Sequence, residues 1–188
     1  IPLEKYDNFQ LIEADIQTVD WQTILKDKDI KVIYHQAAQA GVRASWGDSF
    51  RHYTERNINA TQVLLEAAKD LPSLQRFVYA STSSVYGDAE TMPTPETVCP
   101  EPVSPYGMTK LAAERLCCIY HQTFGVPIVA LRYFSVYGPR QRPDMAFHKF
   151  FKAAIAKQSI SIYGDGQQTR DFTFVSDVVD ANLSAAIV

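Results

Sequence analysis

Residues 76–87 read RFVYASTSSVYG: an apolar, β-rich run at Arg76–Ala80 that passes directly into a row of hydroxyls ending at Gly87. Two neighbouring runs have the same character, KVIYH at Lys31–His35 and IVALRYF at Ile128–Phe134, the latter entered through Pro127. A further run, FQLIEA at Phe9–Ala14, precedes a short helical stretch at Val19–Lys28. Longer helical patterns separate the strands. Asp48 or Ser49 is placed to cap a helix to about Asp70, with Val63, Leu64, Ala67 and Ala68 on its apolar side. A second helix spans Pro105 to Phe124, with Gly125 placed as its C′ residue. Before it, Pro93, Pro95, Pro100, Pro102 and Pro105 are too closely spaced for regular structure. Apolar strands alternating with helices predict an α/β fold with a doubly wound parallel sheet, covered on both faces.

From Ser135 the rhythm loosens. A loop with Gly138, Pro139 and Pro143 leads to a helix near Ala146–Gln158 and a short strand at Ser159–Tyr163. The turn Gly164-Asp165-Gly166 follows, then a strand at Asp171–Val175 and a helix started by Ser176 or Asp177. The stretch from Ser135 to Val175 reads as a smaller lobe grafted onto the sheet.

Composition narrows the function classes. The chain has 188 residues, 46% of them apolar and 12% aromatic, enough for a large core. Its 18 basic and 21 acidic residues give a net charge of −3, which argues against a nucleic-acid binder working through a general positive field. No apolar run approaches the roughly 18 residues of a membrane span. The three cysteines, Cys99, Cys117 and Cys118, suit a reducing compartment, and a cytoplasmic location is expected. Neither they nor the four histidines have metal-ligand spacing, so no metal is expected.

The chemistry centres on Tyr106 and Lys110, four residues apart and therefore on one helix face. A free phenol ionises near pH 10, too high for a general base at neutral pH. An ammonium alongside favours the phenolate, and a shift of about three units corresponds to roughly 4 kcal/mol. The hydroxyls of Thr82, Ser83 and Ser84 lie just past a strand end, where open α/β sheets bind ligands. Hydroxyl, phenol and ammonium together form a proton relay to an alcohol or ketone. Taken alone the spacing more often marks a solvated helix face, and the alternative for the hydroxyls is a turn that satisfies its own backbone.

Four pieces taken together, TSSVYG (82–87), SPYGMTK (104–110), LRYF (131–134) and RDFTFVSD (170–177), resemble the extended short-chain dehydrogenase/reductase family of nucleotide-sugar epimerases and dehydratases. The resemblance implies a Rossmann-like sheet over residues 1–134, part of a small α+β substrate lobe over 135–175, and a helix returning to the main domain over 176–188. It implies NAD as cofactor and a UDP-sugar as substrate. Tyr106 is then the acid/base, Lys110 its pKa partner and ribose ligand, and Thr82 the hydroxyl on the reacting sugar oxygen. Asp15 and Ile16 match the pair at the adenine. Gln36, Ala37, Ala38, Gln39 and Ala40 match the loop along the cofactor, where small residues allow close approach. Asn57 matches a helix asparagine near the cofactor and Phe134 an aromatic beside the nicotinamide. Arg170 matches an arginine on the diphosphate, where a fixed guanidinium fork outperforms an ammonium. Tyr163 matches an aromatic at the uracil. A homodimer through the helices Ser49–Asp70 and Pro105–Phe124 is also implied.

Dehydrating relatives usually carry an acidic residue directly after the catalytic threonine. Ser83 and Ser84 stand there, which favours C4 epimerisation by transient oxidation and hydride return. Ser135 replaces an asparagine common in epimerases of neutral hexoses, and GPRQRPDMA at 138–146 is similar to a stretch of UDP-glucuronate 4-epimerases. Ser135, Thr82 to Ser84 and the cation of Arg142 suit a carboxylate. The expected reaction is UDP-glucuronate to UDP-galacturonate. A UDP-glucose 4-epimerase, a nucleotide-sugar decarboxylase and a non-catalytic dinucleotide sensor are the alternatives. No Gly-x-x-Gly-x-x-Gly phosphate loop occurs, so the segment reads as the middle of a larger enzyme that alone binds dinucleotide poorly and is inactive.

Overall fold

The structure is a computed structural model that describes residues 3–25, 27–162, 164–167 and 169–187. Its centre is a three-stranded parallel sheet in the order β1 (Val32–His35), β2 (Arg76–Thr82), β3 (Ile128–Tyr133). The register pairs Ile33 with Phe77 and Phe77 with Ile128. β2 is the middle strand, so both of its edges are paired, and Phe77, Val78 and Tyr79 are completely buried. A strand buried on both faces has no polar side to present, which explains the unbroken apolar run at 77–80.

Helices cover both faces. Phe77 and Tyr79 point the same way and meet Leu64, Leu65, Ala68, Ala113, Cys117 and Tyr120. Those side chains come from α3 (Ala60–Lys69) and α4 (Pro105–Phe124). On the opposite face α6 (Val175–Ile187) lies against β2 and β3. This is the doubly wound α/β arrangement expected from the alternation of strands and helices.

α4 begins and ends as its sequence dictates. The Ser104 hydroxyl accepts the Gly107 N–H at 3.1 Å, Pro105 opens the first turn, and Gly125 closes the helix at φ +74°. The helix before it differs from expectation. α2 (Phe50–Tyr53) enters through a 3₁₀ turn, and neither Asp48 nor Ser49 makes the expected cap. Between α2 and α3 the chain widens into a π-turn over Thr54–Asn59. A single π-turn inserts a residue into the helix face and often marks a functional site.

Phe9–Ala14 forms no strand and pairs with none of the described strands. It is tied down instead by Ile16 and Trp21, which pack on the core, with the Trp21 indole donating to the Ile16 carbonyl at 3.0 Å. The short helix that follows, α1, covers Trp21–Leu25. Residues 159–162 likewise form no ladder. β4 (Ser135–Tyr137) instead pairs in parallel with β5 (Phe172–Phe174). Around them Tyr137, Phe147, Phe172 and Phe174 form an aromatic cluster, Phe147 coming from α5 (Ala146–Ile155).

Gly107 is held where no side chain fits. A Cβ there would stand 2.5 Å from the Ser84 carbonyl oxygen and 3.0 Å from Pro102 Cβ. Glycine to alanine within a helix normally gains about 1 kcal/mol. Here overpacking reverses the sign, and Gly107→Ala is expected to lose about 1–3 kcal/mol. Thermal unfolding should show a Tm several degrees lower. A variant as stable as the parent or more so would contradict the close approach.

Candidate active site

The C-terminal end of β2 and the N-terminal end of α4 meet at one point. Thr82 leaves the strand and its hydroxyl accepts the Ser84 N–H at 3.2 Å, which bends the chain into the turn Ser83–Val85. Gly107 presses against that turn, bringing Tyr106 beside Thr82. A second anchor comes from the loop after β1. Buried Ser45 accepts the Tyr106 N–H at 3.1 Å and donates its own hydrogen to the Val42 carbonyl at 2.7 Å. Tyr53 closes the third side, its ring edge-on to Tyr106 at 6.2 Å and its hydroxyl donating to the Gly41 carbonyl at 2.7 Å. Gly41 sits at φ +117°, which favours glycine.

Burial raises the Tyr106 pKa above the ordinary phenol value. The Thr82 hydroxyl and then the charge of Arg142 oppose that rise without cancelling it. The Lys110 ammonium, the partner expected for this phenol, rests against Tyr79. Lys110 is almost fully buried, its Nζ 4.3 Å above the Tyr79 ring centre. Its Nζ donates to no described residue, and burial lowers its pKa to about 8. Thr82 and then Arg142 are the groups that act to favour the phenolate in this geometry.

Asn57 occupies the π-turn and is fully buried. Its Oδ1 accepts the Gln39 N–H at 2.7 Å, while Nδ2 donates to the Gln39 carbonyl at 3.1 Å and to Thr109 Oγ1 at 3.0 Å. Thr109 in turn donates to the Tyr106 carbonyl at 2.9 Å. Asn57 thus ties the loop 36–40 to the helix that carries Tyr106, and its amide is committed within the protein. His35 extends the network. Thr61 gives its one hydrogen to the Asn57 carbonyl at 2.7 Å, so His35 Nε2, 2.8 Å away, must carry a proton and donate to Thr61. Ser45, Tyr53, Thr61, Thr109 and His35 were not read from sequence as part of the site. The polar residues among them were visible as non-apolar positions inside otherwise apolar patterns.

The remaining expected residues fall as follows. Gln36 donates to Tyr133 at 3.3 Å and to Asn182 on α6 at 2.8 Å. Ala37, Ala38 and Ala40 are exposed along the same loop. Ser83 and Ser84 are half-buried beside Thr82, Phe134 lies in the break between β3 and β4, and Ser135 opens β4. Asp15 accepts the Gln17 N–H at 2.8 Å in a turn, and Ile16 packs on the core. Arg142 is held in a two-point pair by Asp144, at 3.0 and 2.8 Å. Arg170 is exposed and bonds the Thr169 carbonyl at 2.6 Å. Tyr163 lies outside the described residues. Among the described residues no group of three or more His, Cys, Asp or Glu could hold a metal.

Burial, and then the nearby Lys110 charge, lower the His35 pKa from 6.5 to about 4. The unfolded chain therefore takes up a proton near pH 6.5 while the folded protein refuses it until about pH 4. Stability falls as the pH drops through that window, by roughly 3 kcal/mol for this group. Urea unfolding of His35→Gln between pH 7 and 4 should show a shallower decline than the parent. Equal slopes would contradict a neutral, buried His35.

Over residues 2–186 the chain matches the model of the NAD dependent epimerase/dehydratase family. It is 52% identical over 171 residues to an uncharacterised UDP-glucose epimerase of Bacillus subtilis (strain 168), covering 91% of this chain and 53% of that protein. It is 39% identical over 184 residues to a UDP-glucuronate 4-epimerase of Thermodesulfobacterium geofontis, covering 97% and 56%. Among solved structures, the UDP-glucuronic acid 4-epimerase of Bacillus cereus, in complex with UDP-glucuronic acid and NAD, superimposes with a TM-score of 0.93 at 49% identity. That match covers 99% of this chain and 58% of the other. The chain thus spans a little over half the length of these relatives. With Tyr106 and Thr82 brought together where β2 meets α4, and with a family match over nearly all its length, the chain belongs to the NAD dependent epimerase/dehydratase family.

Proposed function

We propose that the protein carrying this sequence epimerises a UDP-sugar at C4 with NAD, converting UDP-glucuronate to UDP-galacturonate through a 4-keto sugar. The observation that carries the reading is the Thr82 hydroxyl set against the Tyr106 phenol, with the charge of Arg142 acting on that phenol. The Thr82 hydroxyl holds the sugar's O4, and the Tyr106 phenolate takes its proton as the C4–H bond breaks. The same phenol returns the proton when the keto-sugar, turned over in the site, is reduced on its other face. When bound, NAD supplies the acceptor and donor of the C4 hydride.

The residues present fit such a dinucleotide. Lys110 presents a buried ammonium that donates to no described residue, suited to a ribose hydroxyl. Ala37, Ala38 and Ala40 leave the loop backbone open to close approach, and Gln39 is fixed there by Asn57. Phe134, partly exposed between β3 and β4, is assigned to the nicotinamide ring. Asp15 and Ile16 are assigned to the adenine end, and Tyr163 and Arg170 to the uridine diphosphate.

No carboxyl group follows Thr82; Ser83 and Ser84 stand there, so the acid and base that an elimination of water needs are missing from this turn. Arg142, with Ser135 and Thr82 to Ser84, offers donors for a uronate carboxylate. One observation favours UDP-glucose as a second reading: Asp144 already pairs with Arg142 and offsets its charge. The Bacillus subtilis relative described as a UDP-glucose epimerase points the same way. The reading also includes the division at 134/135 and 175/176 and a homodimer through the helices Ser49–Asp70 and Pro105–Phe124, the second of which exposes Ile119 and Phe124. No described helix is long and apolar enough to cross a membrane, and a cytoplasmic location is proposed.

Tyr106→Phe is expected to lower kcat on UDP-glucuronate by about 10³-fold, within the usual range for a removed acid/base. Thr82→Ala should cost about 10²-fold. Turnover measured by NMR checks both. Turnover of UDP-glucose with UDP-glucuronate left untouched would replace the first reading by the second. A pentose product would make the protein a decarboxylase. Full activity in Tyr106→Phe would remove the mechanism.

A further inference from the structure

One buried acid is not used by the mechanism above. Glu114 stands four residues after Lys110 on α4, and so on the same face about one turn along. Both side chains are almost fully buried, Lys110 at 3% and Glu114 at 5% exposure. The Glu114 carboxylate accepts the Ser81 hydroxyl at 2.6 Å, on the residue that precedes Thr82. It also accepts Arg132 on β3, from Nη2 at 2.6 Å and from Nε at 3.2 Å to both oxygens. The Arg132 guanidinium is itself stacked 4.7 Å from the Tyr86 ring centre. Burial favours the neutral acid, but the bonds from Arg132 and Ser81 outweigh it and hold the Glu114 pKa below its ordinary value. A carboxylate is therefore fixed against the Arg132 guanidinium, about one helical turn from the buried Lys110.

We propose that Glu114 is a positioning residue that keeps Lys110 charged and holds α4 in register with β2, so that Tyr106 meets Thr82. The other groups facing Lys110 cannot supply the negative charge. From β1 comes His35, neutral above about pH 4. From β2 comes the Tyr79 ring, whose phenol burial holds well above its ordinary value. The π-turn meets α4 through Asn57 on Thr109, the residue before Lys110, and Asn57 is uncharged. Cys117, also on α4, could help only as a thiolate, and burial pushes its thiol up to about 12. Burial drives Lys110 towards the neutral amine, opposed by Cys117 and then Glu114; the Cys117 thiol keeps its proton until about pH 12, so Glu114 is the anion present at neutral pH. A carboxylate fixed about one helical turn away shifts an ammonium by about one unit or more.

The catalytic consequence rests on the proposed role of Lys110, whereas its charge state can be read without turnover. In the protein carrying this sequence, ¹³Cε NMR of labelled lysine should show Lys110 titrating near pH 8. In Glu114→Gln, which keeps the shape and can still accept from Ser81, the midpoint should fall by about one unit. The alkaline limb of kcat should move down with it while KM stays unchanged. Ser81→Ala removes one bond but leaves the carboxylate, and should leave the midpoint in place. A midpoint unmoved in Glu114→Gln would overturn the proposal. So would equal shifts in both variants, or a Lys110 already neutral at pH 7 in the unaltered protein. Midpoints that move as expected in a protein without epimerase activity would support the role of Glu114 and reject the reading of the reaction.

Discussion

The site depends on how closely the first turn of α4 approaches the end of β2. The Ser84 carbonyl occupies the space where any residue but glycine at 107 would place its Cβ. That contact, one residue from Tyr106 and two from Thr82, sets the separation of phenol and hydroxyl. The Ser104 cap and Pro105 fix where the helix begins, and the Ser45 hydroxyl fixes how its first free N–H is met. Tyr106 is consequently held on three sides, by the Gly107 contact with the Ser84 carbonyl, by the Ser45 hydroxyl on its N–H and by the Tyr53 ring. A proton-transfer group benefits from such rigidity, because its reach to the reacting oxygen is set before substrate arrives.

Beneath this contact lie two buried networks of different character. The His35–Thr61–Asn57–Thr109 chain is neutral and links the loop 36–40 to the carbonyl of Tyr106. Each hydrogen in it has one acceptor, so the burial of four polar side chains carries little penalty. The Ser81–Glu114–Arg132 group is charged and joins α4 to both β2 and β3. A buried ion pair adds little net stability over apolar residues of the same size, though removing one partner is costly. Its persistence under the site is better explained by what it does to Lys110 than by stability.

Much of this was legible in the sequence, and the reasons differ by element. The apolar run at 76–80 marked β2 because a parallel strand buried on both faces has no polar side to confuse the pattern. Ser104, Pro105 and Gly125 marked both ends of α4 because capping is local chemistry. The π-turn over Thr54–Asn59 was not legible, since its cause is tertiary: Asn57 must reach Gln39 and Thr109 at once. The pairing of β4 with β5 joins residues more than thirty positions apart, and three-residue strands leave no periodicity to read. Phe9–Ala14 had a strand's composition, but composition does not provide a neighbouring backbone. The place of Lys110 was hidden too. Helical spacing put it on the face of Tyr106, whereas the Tyr79 ring decided where its ammonium rests.

The central claim is that the chemistry at Tyr106 is oxidation at C4 followed by return of the same hydrogen. The most direct test is to run UDP-glucuronate in D₂O with the protein carrying this sequence and follow C4 by proton NMR. Direct hydride return predicts UDP-galacturonate that keeps its C4 hydrogen, with no deuterium incorporated there. Deuterium at C4 of the product would contradict the account, because it would mean that the hydrogen left as a proton.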